Sequence, residues 1–171
     1  MRFFRLCLSV GALALVVPMT ATAAESSSGT ASGAIAPCQG YPQPPFKTLS
    51  RGGVTFTVKN TCNVYSGTVS GVARGTQYTA VLTDGSRLLA GQERFEGSIA
   101  VRRGIADFRF DGNQPCTSGC PRTISVHAVD GSRGLDGVSL ELTLAGQASL
   151  TYTGSYSFDR EGSDVDRGGD Q

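Results

Sequence analysis

The chain has 171 residues, with 15 basic against 14 acidic side chains and a hydrophobic fraction of 39%. The basic residues form no block and do not alternate with aromatic ones, which excludes an electrostatic footprint for nucleic acid or an anionic membrane surface. The length suits one domain with a proper core.

Residues 1–24 have the pattern of a secretory signal peptide. Two arginines precede an apolar run at 6–17, and the small residues of "TATAA" follow it. A single membrane anchor is the alternative, but the run is too short to span a bilayer and Pro18 interrupts it. We therefore expect cleavage after Ala23 or Ala24, and a secreted or extracytoplasmic protein with no membrane span.

Residues 25–50 are predicted to be a flexible and proline-rich N-terminal segment. The sequence "ESSSGTASGAIA" at 25–36 is small and polar, and cannot bury enough surface to fold. The sequence "YPQPPF" at 41–46 holds three prolines, which favours extended or irregular backbone. At the other end, 160–171 is charged and glycine-rich, so we expect a disordered tail.

Apolar residues alternate with polar ones through most of 51–159, which is the pattern of half-buried strands. Val54, Phe56 and Val58 begin this alternation. No window has apolar residues spaced by three and four positions, so essentially no helix is expected. The alternation predicts about eight strands, at 52–60, 62–74, 76–84, 86–98, 99–111, 121–130, 137–145 and 148–159.

The connections between these strands are short and rich in Gly or Asp, which favours antiparallel neighbours. About eight such strands hide their apolar face and their edges by closing into a barrel or by stacking as a sandwich. The succession of hairpins favours the barrel, and the chain has no tryptophan for the core position of an immunoglobulin sandwich. We therefore predict an all-β fold, a single antiparallel β-barrel of about eight strands that is lipocalin-like in shape, with a β-sandwich as the alternative.

Four cysteines lie outside the predicted signal peptide, and in an exported chain they indicate two disulfides. Three connectivities are possible. We favour Cys116–Cys120 as a local clasp and Cys38–Cys62 as the tie between the N-terminal segment and the first strands. A metal site built from Cys116, Cys120 and His127 is the alternative, but the C-x3-C spacing matches common zinc pairs poorly, so no metal is expected.

The stretch "GQERFEGSIAVRRGIADFRFDG" at 91–112 is predicted to be a hairpin. With Arg103-Gly104 as its two-residue turn, both strands present their apolar residues to the same side. The pairs expected from this register are Val101 with Ala106, Ile99 with Phe108, and Gly97 with Phe110.

Glu93 belongs to the inward-facing set of this hairpin. A buried and unpaired carboxylate is costly, so it would be neutralised or matched with a partner. Glu93 is therefore a candidate general acid or base and a candidate polar anchor for a ligand, and the alternative is a structural charge that reaches solvent at the barrel rim. Four tyrosines are candidates for lining the same cavity: Tyr65, Tyr78, Tyr152 and Tyr156.

Several short motifs resemble a bacterial domain family of unknown function with an allene oxide cyclase-like barrel. They are the Tyr-Ser-Gly at 65–67, "ERFEG" at 93–97, the Gly-x-x-Gly-Leu-x-Gly at 131–137 and a tyrosine-rich last strand. The resemblance covers 53–159 and implies an eight-stranded barrel related in shape to allene oxide cyclases and dirigent proteins. It carries over no catalytic residue or cofactor, and likeness of fold alone does not transfer cyclase chemistry.

No motif of serine hydrolases, zinc proteases, or dinucleotide- or phosphate-binding proteins occurs in the chain. The leading hypothesis is an exported barrel that binds a small, mostly apolar molecule in its interior, without a cofactor. One alternative is an enzyme of the cyclase or isomerase type that uses Glu93. The other is a structural or protein-interaction module at the cell surface, which a solid core and an exposed apolar patch would favour.

Overall fold

The computed structural model describes residues 28–116, 119–147 and 149–159. The predicted signal peptide and the predicted C-terminal tail lie outside these ranges. Within them all regular secondary structure is strand, in agreement with the prediction. None of the described residues belongs to a helix long and apolar enough to span a membrane.

The described part of the chain forms nine strands, and their lengths follow the alternation seen in the sequence. They are β1 Ser28–Pro37, β2 Pro45–Arg51, β3 Val54–Gly67, β4 Val69–Val81, β5 Arg87–Ile99, β6 Arg102–Gln114, β7 Arg122–Arg133, β8 Val138–Gly146 and β9 Leu150–Phe158.

Eight of these strands close into an antiparallel barrel, as predicted. Strands β3 to β9 pair in chain order, β1 pairs with β9, and a further pairing of β1 with β3 completes the circle. The remaining strand, β2, lies outside the circle and pairs with the first half of β3. The edge of β3 is therefore shared, with β2 along residues 54–59 and β1 along residues 63–67.

Strand β1 corrects the prediction that 25–50 is flexible. It pairs with β9 from Ser28 to Ile35, and its inward residues Ala31 and Ile35 are buried. Gly33 sits where a Cβ would lie 1.9 Å from a backbone oxygen of β3. The small residues that resemble a linker are thus the ones that fit between two close strands, and pairing on both edges supplies the stability that their own side chains do not.

Two boundaries and one face predicted near the start of the barrel are also wrong. No break occurs near residue 61 or near residue 75, because β3 and β4 pair without a register shift from Thr55–Val81 to Tyr65–Gly71. Side chains alternate strictly along such a strand. Because Tyr65 points inward, Phe56 points outward, and it is 47% exposed.

The β5–β6 hairpin is present, but its predicted register is wrong. The turn is Ala100-Val101, so that Gly97 pairs with Gly104 rather than with Phe110. The shift is an even number of residues, so the inward set stays inward, except that Val101 becomes a turn residue and is 94% exposed. Gly104 serves a different close approach, because a Cβ there would lie 2.5 Å from the Ser132 carbonyl oxygen.

The end of the barrel with the β3–β4, β5–β6 and β7–β8 turns is filled by apolar side chains, and we call it the packed end. Phe95 and Phe108 stack at its inner boundary with ring centroids 5.0 Å apart. Leu135, from the β7–β8 turn, is fully buried. The Tyr152 hydroxyl accepts the Val69 N–H at 2.8 Å and lies 3.0 Å from the Val69 carbonyl oxygen, which ties β9 to the start of β4.

Candidate functional site

Glu93 lies inside the barrel, with 3% of its surface exposed, and not at a solvent-exposed rim. Its carboxylate has two partners on β3. Asn63 Nδ2 donates to Oε1 at 2.5 Å, and the Tyr65 hydroxyl is 3.5 Å from Oε2. A charged acceptor strengthens such hydrogen bonds, so this contact holds the carboxylate in a defined position.

Gly75 explains how a β5 side chain reaches β3. Strand β4 lies between them, and its Gly75 pairs with Glu93 on one side and with Thr61 on the other. A Cβ at Gly75 would come close to the backbone oxygen of Gln92. Because glycine presents no side chain there, the Glu93 carboxylate extends over the β4 backbone to the inward residues of β3.

Three consecutive inward-facing residues of β3 are polar: Thr61, Asn63 and Tyr65. Thr61 is buried, and its hydroxyl lowers the pKa of Glu93. Its geometry nevertheless falls short of a full hydrogen bond, and Oγ1 has no other partner among the described residues. A buried donor without a partner is costly, and it is available to an incoming polar group.

Burial raises the pKa of Glu93 above its usual value. The nearby Thr61 hydroxyl, the hydrogen bonds of Asn63 and Tyr65, and the charge of Lys59 oppose this shift. Burial also raises the pKa of Tyr65 well above its usual value, and the neighbouring Glu93 adds to the effect. Tyr65 is therefore a phenol that keeps its proton. Glu93 is a carboxyl whose neutral form is favoured more than in water.

These groups open into a cavity of about 110 Å³ that is partly open to solvent. It lies at the end of the barrel opposite the packed end, beside the 38–44 loop and the start of β7, and we call this the open end. Its walls combine the polar groups above with apolar side chains. The apolar lining includes Ile35, Phe110, Ile124, Val126, Leu144 and Leu150.

Two cations, Lys59 and Arg122, line the same cavity. Burial lowers the pKa of Lys59, and the positive charge of Arg122 lowers it further, while Glu93 raises it. Arg122 Nη2 donates to the Gln147 carbonyl at 2.6 Å. Within the described part of the chain neither cation has a carboxylate within 4.0 Å. The ion pair found there joins Arg94 and Asp107 on the outer face.

Both predicted disulfides are confirmed, and both lie at the open end. Cys38–Cys62 joins the residue after β1 to the middle of β3, between Thr61 and Asn63, with 5.4 Å between the Cα atoms. Gln43 Nε2 donates to the Cys62 carbonyl at 2.8 Å and holds the 38–44 loop over the cavity.

The second disulfide, Cys116–Cys120, closes the β6–β7 loop beside Arg122. Gln114 and Gln147 donate to carbonyls of this loop at 3.2 and 2.7 Å. Since Cys116 and Cys120 are bonded to each other, they do not form a thiolate site with His127, and the described ranges contain no cluster of three metal-ligating side chains.

Of the four candidate tyrosines, the structure brings one to Glu93. Tyr65 lines the cavity, whereas Tyr152 packs against the Tyr65 ring and uses its hydroxyl at the packed end. Tyr156 packs beside Phe158 and is not part of the cavity lining. The prediction that Tyr78 lines the cavity is wrong, because Tyr78 lies on the outer face and is 52% exposed.

The sequence reasoning missed Lys59, Thr61, Asn63 and Arg122. A signal for the first three was present, since they continue the alternation of Tyr65 along the same strand. No local signal pointed to Arg122, which reaches the cavity only because β7 starts beside the disulfide loop.

No protein-family model matches the chain, and no curated protein sequence matches it significantly. Among solved structures the chain is similar to a protein of unknown function from the DUF3224 family of Shewanella oneidensis MR-1, with a TM-score of 0.62 and 16% sequence identity. The match covers 80% of this chain and 99% of that protein. At this identity the likeness shows the barrel fold alone, and an allene oxide cyclase-like character stays a prediction.

Proposed function

We propose that this protein is an extracytoplasmic barrel that binds a small molecule in the cavity at the open end, with Glu93 and Tyr65 as its polar anchors. The observation that carries the proposal is a buried carboxylate, held by Asn63 and Tyr65, that faces a cavity with apolar walls. A few convergent polar groups in a largely apolar pocket are typical of small-molecule sites.

Energetics argue against a purely structural role for these residues. The packed end shows that the same strands can fill the barrel with apolar side chains. Burying a carboxylate beside an unpartnered Thr61 hydroxyl costs free energy that an apolar replacement would avoid. Polar groups kept at such a cost are characteristic of sites that bind or react.

The cavity volume limits the size of the ligand. A volume of about 110 Å³ corresponds to about four water molecules and is smaller than the ~150 Å³ apolar cavity that holds benzene. A molecule with about five to eight non-hydrogen atoms fits if part of it extends into the mouth. The site therefore favours a compact ligand over a long lipid chain.

Native mass spectrometry of the protein purified from its own source tests this proposal. We expect a co-purified small molecule that Glu93→Gln loses and Glu96→Gln retains, because Glu96 lies on the outer face of the same strand. Loss of the molecule from both variants, or its retention by both, would contradict the role of Glu93. The proposal would be overturned if the purified protein carried no small molecule and if the NMR signals of the cavity residues did not shift when small molecules of this size were added.

A cyclase- or isomerase-type enzyme is the second candidate, and the contact between Glu93 and Tyr65 favours it. The carboxylate of a group with a raised pKa can accept a proton from one atom of a bound molecule, and the carboxyl that forms, or the neighbouring phenol, can donate a proton to another atom. Incubating the co-purified ligand with the protein in D₂O should then add deuterium to carbon, and Glu93→Gln should abolish the gain in mass with the fold intact. An unchanged ligand mass would exclude this candidate and leave the binding role.

A structural or protein-interaction module is the third candidate. In its favour, Phe56, Tyr78 and Leu88 leave an apolar patch on the outer face of β3, β4 and β5. The cavity argues against a purely structural module, because such a module is expected to have a solid core. If a partner protein binds this face, Tyr78→Ser should weaken its binding and Glu93→Gln should not.

A further inference from the structure

The cavity holds more positive than negative charge, although the whole chain is nearly neutral. Lys59 and Arg122 line it together with a single carboxyl, Glu93. Both carboxyl oxygens of Glu93 are already engaged by β3, through Asn63 and Tyr65. Strand β3 therefore holds Glu93 in position, whereas neither cation forms an ion pair within 4.0 Å with a carboxylate of the described ranges.

A half-buried cation that faces a second cation and has no ion pair within 4.0 Å in the described ranges is an unfavourable arrangement. Lys59 loses part of its hydration, and the charge of Arg122 repels it, which is the cause of its lowered pKa. Partial burial weakens the screening that would cancel this repulsion in water. A bound anion would relieve both effects, a neutral ligand would relieve neither, and a cationic ligand would add a third positive charge.

We propose that the ligand of this cavity is a small monocarboxylate, whose carboxylate lies between Lys59 and Arg122 and whose short apolar body packs against the β7–β9 wall; this rests on the proposed function. Arg122 uses one nitrogen for the Gln147 carbonyl, which fixes the guanidinium, and its other N–H groups form no hydrogen bond to a side chain or carbonyl of the described residues. The Ile124, Leu144 and Leu150 side chains supply the apolar wall.

The loops at the open end support this arrangement. The Cys116–Cys120 loop receives a hydrogen bond from Gln147, whose own carbonyl accepts from Arg122. The disulfide loop and the β8–β9 turn therefore hold one of the two cations in place. Preorganised donors bind an anion more tightly because less ordering is required when the ligand arrives.

Three probes with one carbon skeleton and different charge test the inference: 3-methylbutanoate, 3-methylbutanamide and 3-methylbutylamine. Each is titrated at pH 7 into the protein with both disulfides formed, and binding is followed by NMR shifts of residues around the cavity. We expect the carboxylate to bind about tenfold or more tightly than the amide, since a charged hydrogen bond adds about that factor, and the amine to bind least.

Lys59→Met supplies the matched variant, because it keeps an unbranched side chain that is only one atom shorter and removes the charge. It should lower carboxylate affinity to about that of the amide and leave amide affinity unchanged. Lys47→Met, on the exposed strand β2, is the control and should change neither. Higher salt concentration should weaken the binding of the carboxylate probe and leave the binding of the amide probe unchanged.

Equal affinity for carboxylate and amide, or tighter binding of the amine, would overturn the inference and leave the proposed binding role intact. Equal loss of amide and carboxylate affinity in Lys59→Met would also overturn it, since Lys59 would then act by shape and not by charge. Binding of none of the three probes would overturn it as well. The proposed function is decided separately, by the co-purification experiment.

Discussion

The two ends of this barrel are built from the same strands but have opposite interiors. On β5, Phe95 belongs to the packed end and Glu93, two residues earlier on the same face, belongs to the open end. On β3, the inward side chains change from Tyr65 to Asn63 and Thr61 in the same direction. The boundary between an apolar core and a polar cavity is therefore about one inward-facing residue wide.

This difference separates stability from binding within one small fold. Phe95, Phe108 and Tyr65 interlock their rings at the packed end and its boundary, where apolar burial stabilises the barrel. At the open end, two disulfides and several side-chain hydrogen bonds to loop carbonyls hold the structure instead. The open end can keep buried polar groups because the packed end supplies the stability that they reduce.

The largest expected effect comes from emptying the packed end. Phe95→Ala removes a fully buried ring that stacks on Phe108, and it should lower the free energy of unfolding by about 3–5 kcal/mol. Urea-induced unfolding measures this change. Phe56→Ala, on the outer face, is the control and should cost less than about 1 kcal/mol. Similar losses in the two variants would break the distinction between core and outer face.

The covalent links of the open end come next. Removing Cys38–Cys62 by a double substitution to Ala frees a loop spanning 24 positions, which should cost about 3 kcal/mol. Removing Cys116–Cys120 frees a much shorter loop and should cost about 2 kcal/mol or less. Chemical unfolding of the two double variants compares them, and a reversed order would mean that strain in the native state outweighs loop length.

Two tyrosine hydroxyls compare the two ends directly. Tyr152→Phe leaves the fully buried Val69 N–H without its acceptor, and should cost about 1–3 kcal/mol. Tyr65→Phe removes a contact of 3.5 Å to Glu93, and should cost less than about 1 kcal/mol. Thermal unfolding of both variants tests this. A larger loss for Tyr65→Phe would place a main tie of the barrel at the open end.

The smallest expected effect is a pH dependence at the open end. The pKa of Glu93 is raised in the folded state, so the folded protein binds this proton more tightly than the unfolded chain does. The stability that this proton contributes is complete below the usual value of 4.5 and is lost as pH rises through the folded-state pKa. Glu93→Gln lacks this loss.

The free energy of unfolding of Glu93→Gln minus that of the native protein should therefore increase with pH across this window and then level off. Unfolding curves recorded from acid to neutral pH measure the difference, with Glu96→Gln as the control for removing an exposed carboxylate from the same strand. A difference that decreases with rising pH would show that hydrogen bonding, and not burial, dominates at Glu93.

Local periodicity was enough to predict the barrel class and the inward position of Glu93. Alternation is a property of a few consecutive residues, and an antiparallel strand keeps it along its whole length. The inward set of β5 and β6 was therefore correct apart from Val101, even though the predicted turn, Arg103-Gly104, was wrong. An even register shift does not change which side a residue faces.

Features that depend on distant parts of the chain could not be predicted in this way. Strand β1 is stabilised by β9 and β3, so its own composition of Ser, Gly and Ala gave no sign of it. Val54, Phe56 and Val58 form an apolar stripe on the outer face. The second half of β3 points Tyr65 inward, and because the strand is continuous, the even-numbered residues of its first half point outward. Lys59 and Arg122 line one cavity although they begin on strands far apart in the sequence, β3 and β7.

The closing strand pair also determines when the barrel can be complete. Strands β3 to β9 join consecutive neighbours through short turns, but Ser28 pairs with Ser157, so β1 must meet a strand from the far end of the chain. Contacts between such distant segments form late, because the entropy of a long loop must be overcome first. Until then β9 and residues 63–67 of β3 are open sheet edges, which readily pair with other chains. By pairing with both β9 and β3, the small residues of β1 thus close the barrel and remove two sheet edges that favour aggregation.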